Sequence, residues 1–212
     1  MINHHPAPDT LLAHVAGTLS PGHALAVAAH VQGCAHCQGQ VRRLETVGGA
    51  LLEDLAPEAL ANDAFSVTLA RLDEPTPPPP AKPRQVDLRL PPGLRLPSVL
   101  RGTAIGRWLW MGPGLRYSRV TLPWAPTENV MLLRVGGGRR VLRHSHGGAE
   151  LTQVLWGGFH DITGAYGPGD MQEADETIEH QPLADPEGCV CLASLEGGLR
   201  LPWLSNPFRR LK

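Results

Sequence analysis

The chain has 212 residues, of which 42% are hydrophobic and 18% charged, so it is long enough for one large or two small domains and apolar enough to bury a core. A net charge of −1 supplies no basic footprint, and direct nucleic-acid binding is not expected. No run approaches the ~20 apolar residues that cross a bilayer, and Met1-Ile2-Asn3-His4-His5-Pro6 is not a signal segment, so a cytoplasmic protein with no membrane partner is expected.

From Pro8 to Leu72, Ala, Leu and Val recur at three- and four-residue spacing, the period of a helix. Ser20-Pro21 reads as an N-cap with proline in the first turn, starting a helix from Gly22 to about Val31 that Gly33 ends. The next helix begins near Cys34 and carries Val41, Leu44, Val47, Leu51 and Leu52, its middle softened by Gly48-Gly49. Pro57 closes that segment, and Asp63 caps a short helix ending near Leu72. Leu51, Leu52, Leu55, Leu60 and Leu69 exceed what so small a unit can bury, and an apolar surplus is a partner surface.

Glu74 to Pro83 is a polyproline-type spacer that cannot pack in a core and holds its flanks apart. Beyond it the pattern changes to short runs such as Trp108-Leu109-Trp110, Val130 to Val135, Val154-Leu155-Trp156 and Val190-Cys191-Leu192, broken by glycine turns. Many short strands of this kind make a barrel or sandwich. The expected fold class is α+β in two domains: a small all-α unit over residues 1–73, a proline-rich linker over 74–95, and an all-β barrel over 96–212.

Two ligand constellations stand out. His30-Val31-Gln32-Gly33-Cys34-Ala35-His36-Cys37 places two thiols three residues apart and a histidine one turn upstream, three donors for one tetrahedral ion. His4 and His5, ahead of the first helix, are free to fold back and supply the fourth; the set expected is His5, His30, Cys34 and Cys37, with His4 the alternative to His5. Such an ion is energetically useful, because a helical unit of ~70 residues has a marginal core to which structural zinc adds on the order of 10 kcal/mol. His14, His23 and His36 are expected to be exposed.

The second runs from Gly138 through His144, His146 and Glu150 to Gly157, and fits G-x5-H-x-H-x3-E-x6-G without a gap. His144 and His146, two apart, face one side of a strand, and Glu150 reaches the same point from the next. Residues 169–180 keep the spacing of a second motif, in which Gly169 and His180 survive while Asp175, Thr177 and Ala184 replace its proline, second glycine and asparagine. By ligand type this set suits zinc, iron, manganese, nickel or copper. Cys189 and Cys191 read as strand core, with a redox role the alternative, and Glu173, Asp175, Glu176 and Glu179 as a solvated loop at the barrel mouth, with a gating role the alternative.

Residues 1–72 resemble the zinc-containing anti-sigma domain, whose mark is H-x3-C-x2-C with a histidine upstream. The run from Arg143 through Gly169-Asp170 to Pro182 resembles the cupin half of ChrR-type regulators, and with both halves in this order the resemblance covers nearly the whole chain. It implies a jelly-roll cupin, two zinc ions per chain, and sequestration of an extracytoplasmic-function sigma factor by the helical domain, which suffices for inhibition. It also implies that the cupin receives an oxidative signal, singlet oxygen or an organic peroxide, that ends inhibition. Two other readings compete: a metal-dependent cupin dioxygenase or isomerase with an accessory helical domain, and a switch in which departure of one ion is itself the signal.

Overall fold

The computed structural model describes residues 1–72, 74–75 and 86–201. Four helices come first: α1 (Pro8–Val15), α2 (Pro21–Gly33), α3 (Ala35–Glu53) and α4 (Ala64–Leu72). Ser20 caps α2, its hydroxyl accepting from the His23 amide, with Pro21 in the first turn. This start matches the local chemistry of a capped, proline-led helix. Cys34 both ends α2 and caps α3, its sulfur accepting from the Cys37 amide.

Among the described residues a 3₁₀ turn (Ser98–Gly102) leads into ten strands: β1 (Ala104–Ile105), β2 (Leu109–Gly112), β3 (Leu115–Leu122), β4 (Ala125–Val135), β5 (Ser145–His146), β6 (Glu150–Asp161), β7 (Gly164–Tyr166), β8 (Met171–Ala174), β9 (Leu183–Leu195) and β10 (Leu199–Arg200). Eight form one sheet in the order β1-β3-β4-β9-β6-β7, with β2 paired to β3 and β8 to β6, and β5 pairs with β10. All of these pairings are antiparallel. Gly157, last residue of the first barrel motif, has a φ of +65°, and a Cβ there would meet the Gly188 carbonyl oxygen at 1.9 Å. Only glycine allows β6 to pass β9 so closely.

The spacer at residues 74–83 lies largely outside the described residues. The units on either side of it are not held apart. Helix α2 is buried on two sides: Leu25 and Ala29 join the barrel residues Leu100, Ile105, Val120, Val130 and Leu192, while Ala26 and Val27 join Leu11, Cys34 and Cys37. A helix with apolar residues all round is a buried helix. The linker, expected to reach residue 95, gives way earlier: Leu88 is buried in the same cluster as Leu25, and its carbonyl accepts from the Trp108 indole at 2.6 Å.

Residues 2–7 also lie along the barrel. The Asn3 and His4 amides donate to Asp170 at 2.6 and 3.0 Å, and the Met171 amide donates to the His4 carbonyl at 3.1 Å. Glu173, expected in a solvated loop, instead accepts from the Ala7 amide and the Thr10 hydroxyl at the start of α1. A carboxylate there satisfies free helix amides and opposes the positive end of the dipole. Asp175, Glu176 and Glu179 are exposed as expected. His23, expected to be exposed, is buried against Glu196 with Nδ1 to Oε1 at 3.1 Å, His14 is half-buried and His36 exposed.

The tightest point of the helix–barrel contact is Gly22, whose amide donates to Glu128 at 2.8 Å. A Cβ there would meet Ser194 Oγ at 2.6 Å, Glu128 Oε2 at 2.7 Å and Val130 Cγ2 at 2.9 Å. Gly22→Ala should lift α2 from the sheet and cost about 1–3 kcal/mol by overpacking, read as a lower midpoint of urea unfolding. An unchanged midpoint would mean that α2 does not seat on the barrel this way.

Candidate metal centres

The first cluster sits where α2 hands over to α3. His30 occupies the last turn of α2, Cys34 the junction and Cys37 the first turn of α3, so the local helix–turn–helix geometry brings three donors together. His5 arrives from the segment pinned on the barrel. Its Nδ1 lies 3.4 Å from Cys34 Sγ, 3.5 Å from Cys37 Sγ and 3.4 Å from His30 Nε2, and His30 Nε2 lies 3.3 Å from Cys37 Sγ. A tetrahedral zinc with Zn–S of ~2.3 Å and Zn–N of ~2.0 Å has edges of about 3.3–3.8 Å, so the donor set fits that ion. His4 points away, its ring 4.5 Å from that of Tyr166 and its Nδ1 3.4 Å from Asp170.

Burial lowers the pKa of His5 and His30, with His36 adding to the effect at His5. Both rings are thereby kept in the neutral, ligating form. Burial and the neighbouring Cys34 thiol push Cys37 up to about 12. A thiol in that state needs a cation before it becomes the thiolate that ligates. His30 Nδ1 lies 3.0 Å from Gln153 Oε1, on strand β6 of the barrel. Neither Gln153 nor Asp170, which holds the segment carrying His5, carries any sequence signal for this role, because each acts across the domain contact.

The second cluster lies inside the barrel. His144 bridges to His180 across the chain, His146 is in β5 and Glu150 opens β6. Their ligand atoms all lie within 4.8 Å of one another, as do those of the first cluster. His144 Nδ1 donates to the Leu142 carbonyl at 2.6 Å and His180 Nδ1 to Asp161 at 2.7 Å, leaving both Nε2 atoms, 3.1 Å apart, for an ion. His146 Nε2 and Glu150 Oε2 face each other at 2.5 Å without the alignment of a hydrogen bond, and both remain unpartnered. Buried polar atoms in that condition mark a missing partner, and a cation is the partner that imidazole and carboxylate share.

Burial opposes charge on His144, His146 and Glu150. It lowers the pKa of His144, whereas the His146–Glu150 contact outweighs it, raising His146 and lowering Glu150. Asp161 was not foreseen from sequence. It accepts from His180, Thr163 and Gln172, and these bonds overcome its burial to hold its pKa well below the carboxylate range. A cavity of about 220 Å³ opens beside the cluster, lined mainly by apolar side chains such as Met111, Leu133, Val135 and Phe159. Cys189 and Cys191 are buried in its wall with sulfurs 3.1 Å apart, and the pKa of Cys191 is raised by its neighbour and by burial. Such thiols behave as core, the reading expected of them.

The chain thus joins a helical unit carrying a Cys2His2 donor set to an antiparallel barrel carrying a His3Glu set. A ChrR cupin-like domain family matches residues 98–197 and a zinc-finger family matches residues 9–38. The anti-sigma-E factor ChrR of Cereibacter sphaeroides is 38% identical over 221 residues, covering 99% of each chain. A chain in the crystal structure of Rhodobacter sphaeroides SigE in complex with the anti-sigma ChrR is 35% identical, with a TM-score of 0.73 over 92% of this chain and 100% of that one. An RmlC-like cupin of Ralstonia eutropha, 14% identical with a TM-score of 0.39 over 46% of this chain and 66% of its own, is too distant to carry an argument. The chain belongs to the ChrR family of anti-sigma factors. That family is regulatory, which sets aside the dioxygenase or isomerase reading.

Asp161→Asn keeps the shape of the side chain but weakens its grip on the His180 Nδ1 proton. Partners of this kind are worth 10–100-fold in metal affinity, so a competition titration with a chromophoric chelator should show the barrel cluster weakened by about that factor. Equal affinities would show that Asp161 does not orient His180.

Proposed function

We propose that this chain sequesters an extracytoplasmic-function sigma factor in the cytoplasm through its helical unit, and releases it on an oxidative signal received by the barrel. The observation that carries the reading is a run of exposed apolar side chains from the end of α3 through α4, in a chain similar to one that crystallised with a sigma factor. Leu51, Leu52 and Leu55 at the end of α3 and Leu60, Phe65 and Leu72 around α4 are 65–85% exposed, and α4 buries none of its residues. Covering one such side chain is worth about 1.5–3 kcal/mol, and a monomer does not leave so many in one place without a partner. Among the described residues no helix is long and apolar enough to cross a membrane, and the small net charge offers nothing to nucleic acid.

In this reading zinc occupies both clusters. His5, His30, Cys34 and Cys37 hold the first ion, which closes the helical unit and contributes to its folding as structural zinc does. His144, His146, Glu150 and His180 hold the second, where the same ion type would supply a Lewis-acid centre facing the apolar cavity. The oxidant classes are singlet oxygen and organic peroxide. His144, His180 and Glu150 line the apolar cavity.

Elemental analysis should find two metal ions per chain, with Cys34→Ala and His144→Ala each losing about one and keeping the other. A single ion lost in both variants would contradict two independent sites.

Co-expression with the sigma factors of the same genome should recover one of them with this chain. Leu52→Glu combined with Phe65→Ser should reduce that recovery at least ten-fold without changing metal content. Recovery unaffected by both changes would overturn the assignment of this surface. Glu150→Ala should retain the sigma factor but blunt its release by singlet oxygen or an organic hydroperoxide, read with a promoter reporter.

A further inference from the structure

Strands β6 and β8 pair as a short ribbon with register Glu150↔Ala174, Leu151↔Glu173, Thr152↔Gln172 and Gln153↔Met171. Successive side chains on a strand point to opposite faces and paired residues share one, so the ribbon has an inner and an outer side. Thr152 and Gln172 line the cavity with Glu150. The Thr152 hydroxyl donates to Glu150 at 2.8 Å, and the Gln172 amide donates at 2.9 Å to Asp161, which holds His180. The inner side thus supports two of the four donors in the barrel.

The outer side supports the other cluster. Leu151 and Met171 pack in one buried group with Cys34 and Cys37, and the Met171 amide holds the His4 carbonyl, one peptide from His5. Gln153 is buried, and its Oε1 accepts from His30 Nδ1 at 3.0 Å while its amide nitrogen donates to the Val154 carbonyl at 3.2 Å. Because a side-chain carbonyl only accepts, the His30 proton must sit on Nδ1. The Nε2 lone pair is then free and aimed at Cys37 and His5. Orientation of a ligand histidine by the partner of its other nitrogen is a general device of metal sites; in this chain the partner belongs to the other domain.

We propose that the β6–β8 ribbon couples the two metal centres, with Gln153 the positioning residue that carries the state of the barrel cluster to His30. Glu150 and Gln153 stand three residues apart on one extended strand, on opposite faces, so a shift of the strand at Glu150 moves the acceptor that fixes the His30 ring. The proposal rests on metal occupying both clusters and gives the signal received by the barrel a physical route to the sigma-binding helices. Coupling of this kind is a free energy shared by two sites and is reciprocal.

The test uses the full chain loaded with cobalt(II), because only the first cluster contains thiolates and so only it gives the thiolate-to-cobalt absorption band. Decay of that band under excess chelator reports loss of metal from the first cluster alone. Glu150→Gln, a change in the other cluster, should change the rate of that decay within the roughly 5–150-fold range of ordinary couplings. Gln153→Leu should speed it about 10–100-fold and shift the band as the His30 ring reorients. Gln153→Glu, which keeps an acceptor at the same place, should restore both the slow decay and the response to Glu150→Gln. In the Gln153→Leu background, adding Glu150→Gln should change the rate less than two-fold.

No effect of Glu150→Gln on the thiolate band would overturn the coupling. Multiplicative rates in the double variant would overturn the role of Gln153 as its carrier. Neither a sigma factor nor an oxidant enters this measurement, so failure to bind one or respond to the other would sink the proposed function and leave the coupling standing. A responsive complex with independent decay rates would do the opposite.

Discussion

Helix α2 is buried on two sides: Leu25 and Ala29 lie on the barrel, Ala26 and Val27 pack with the other helices, and Gly22 touches the sheet where no side chain fits. The rest of the molecule depends on that double burial. Small residues let the helix axis approach the sheet, and close approach brings His30, at the helix end, within hydrogen-bonding distance of a glutamine on the barrel. The helical unit is too small for a strong core of its own. It draws on two supports, its metal donor set and the outer wall of the barrel.

This arrangement gives the two clusters different characters. The thiol-containing set is assembled from three structural units: the α2–α3 junction, the pinned N-terminal segment and, one bond out, the barrel. Moving any of them disturbs it. The histidine–carboxylate set is contained within the barrel, where Asp161 and the Leu142 carbonyl fix two of its rings. Under the proposed function the self-contained site beside the cavity is the receiver and the composite site the responder. The exposed end of α3 lies on the same helix as Cys37, so the composite site and that surface share one element.

Much of this was legible in the chain order of residues. The proline-led start of α2, the Cys34 junction, the glycine-broken strands after the proline run and three donors of each set (His30, Cys34 and Cys37; His144, His146 and Glu150) rest on local spacing, which the backbone converts into geometry within a turn or between neighbouring strands. The apolar surplus on α3 and α4 was equally legible, because the count of leucines exceeded the core available to them. Glu173 was misread as solvated because its partners, the Ala7 amide and Thr10 hydroxyl, are distant in sequence. His23 was misread for the same reason, its burial against Glu196 arising only when α2 docks.

The sequence by itself determined what kinds of donor exist and that they fall into two groups, since ligand spacing within a helix or strand is a local property. Which of His4 and His5 faces the first group was decided only in three dimensions: Asp170 takes the His4 amide and Tyr166 packs at a tilt against its ring, leaving the next residue to turn inward. Tertiary structure also decided that the proline run does not keep the two halves apart. A spacer limits how far its ends can separate but exerts no force to keep them separate, whereas burying Leu25, Ala29 and Leu88 in one cluster removes apolar surface from water. Contacts of that origin, between residues a hundred positions apart, leave no period or spacing in the sequence to read.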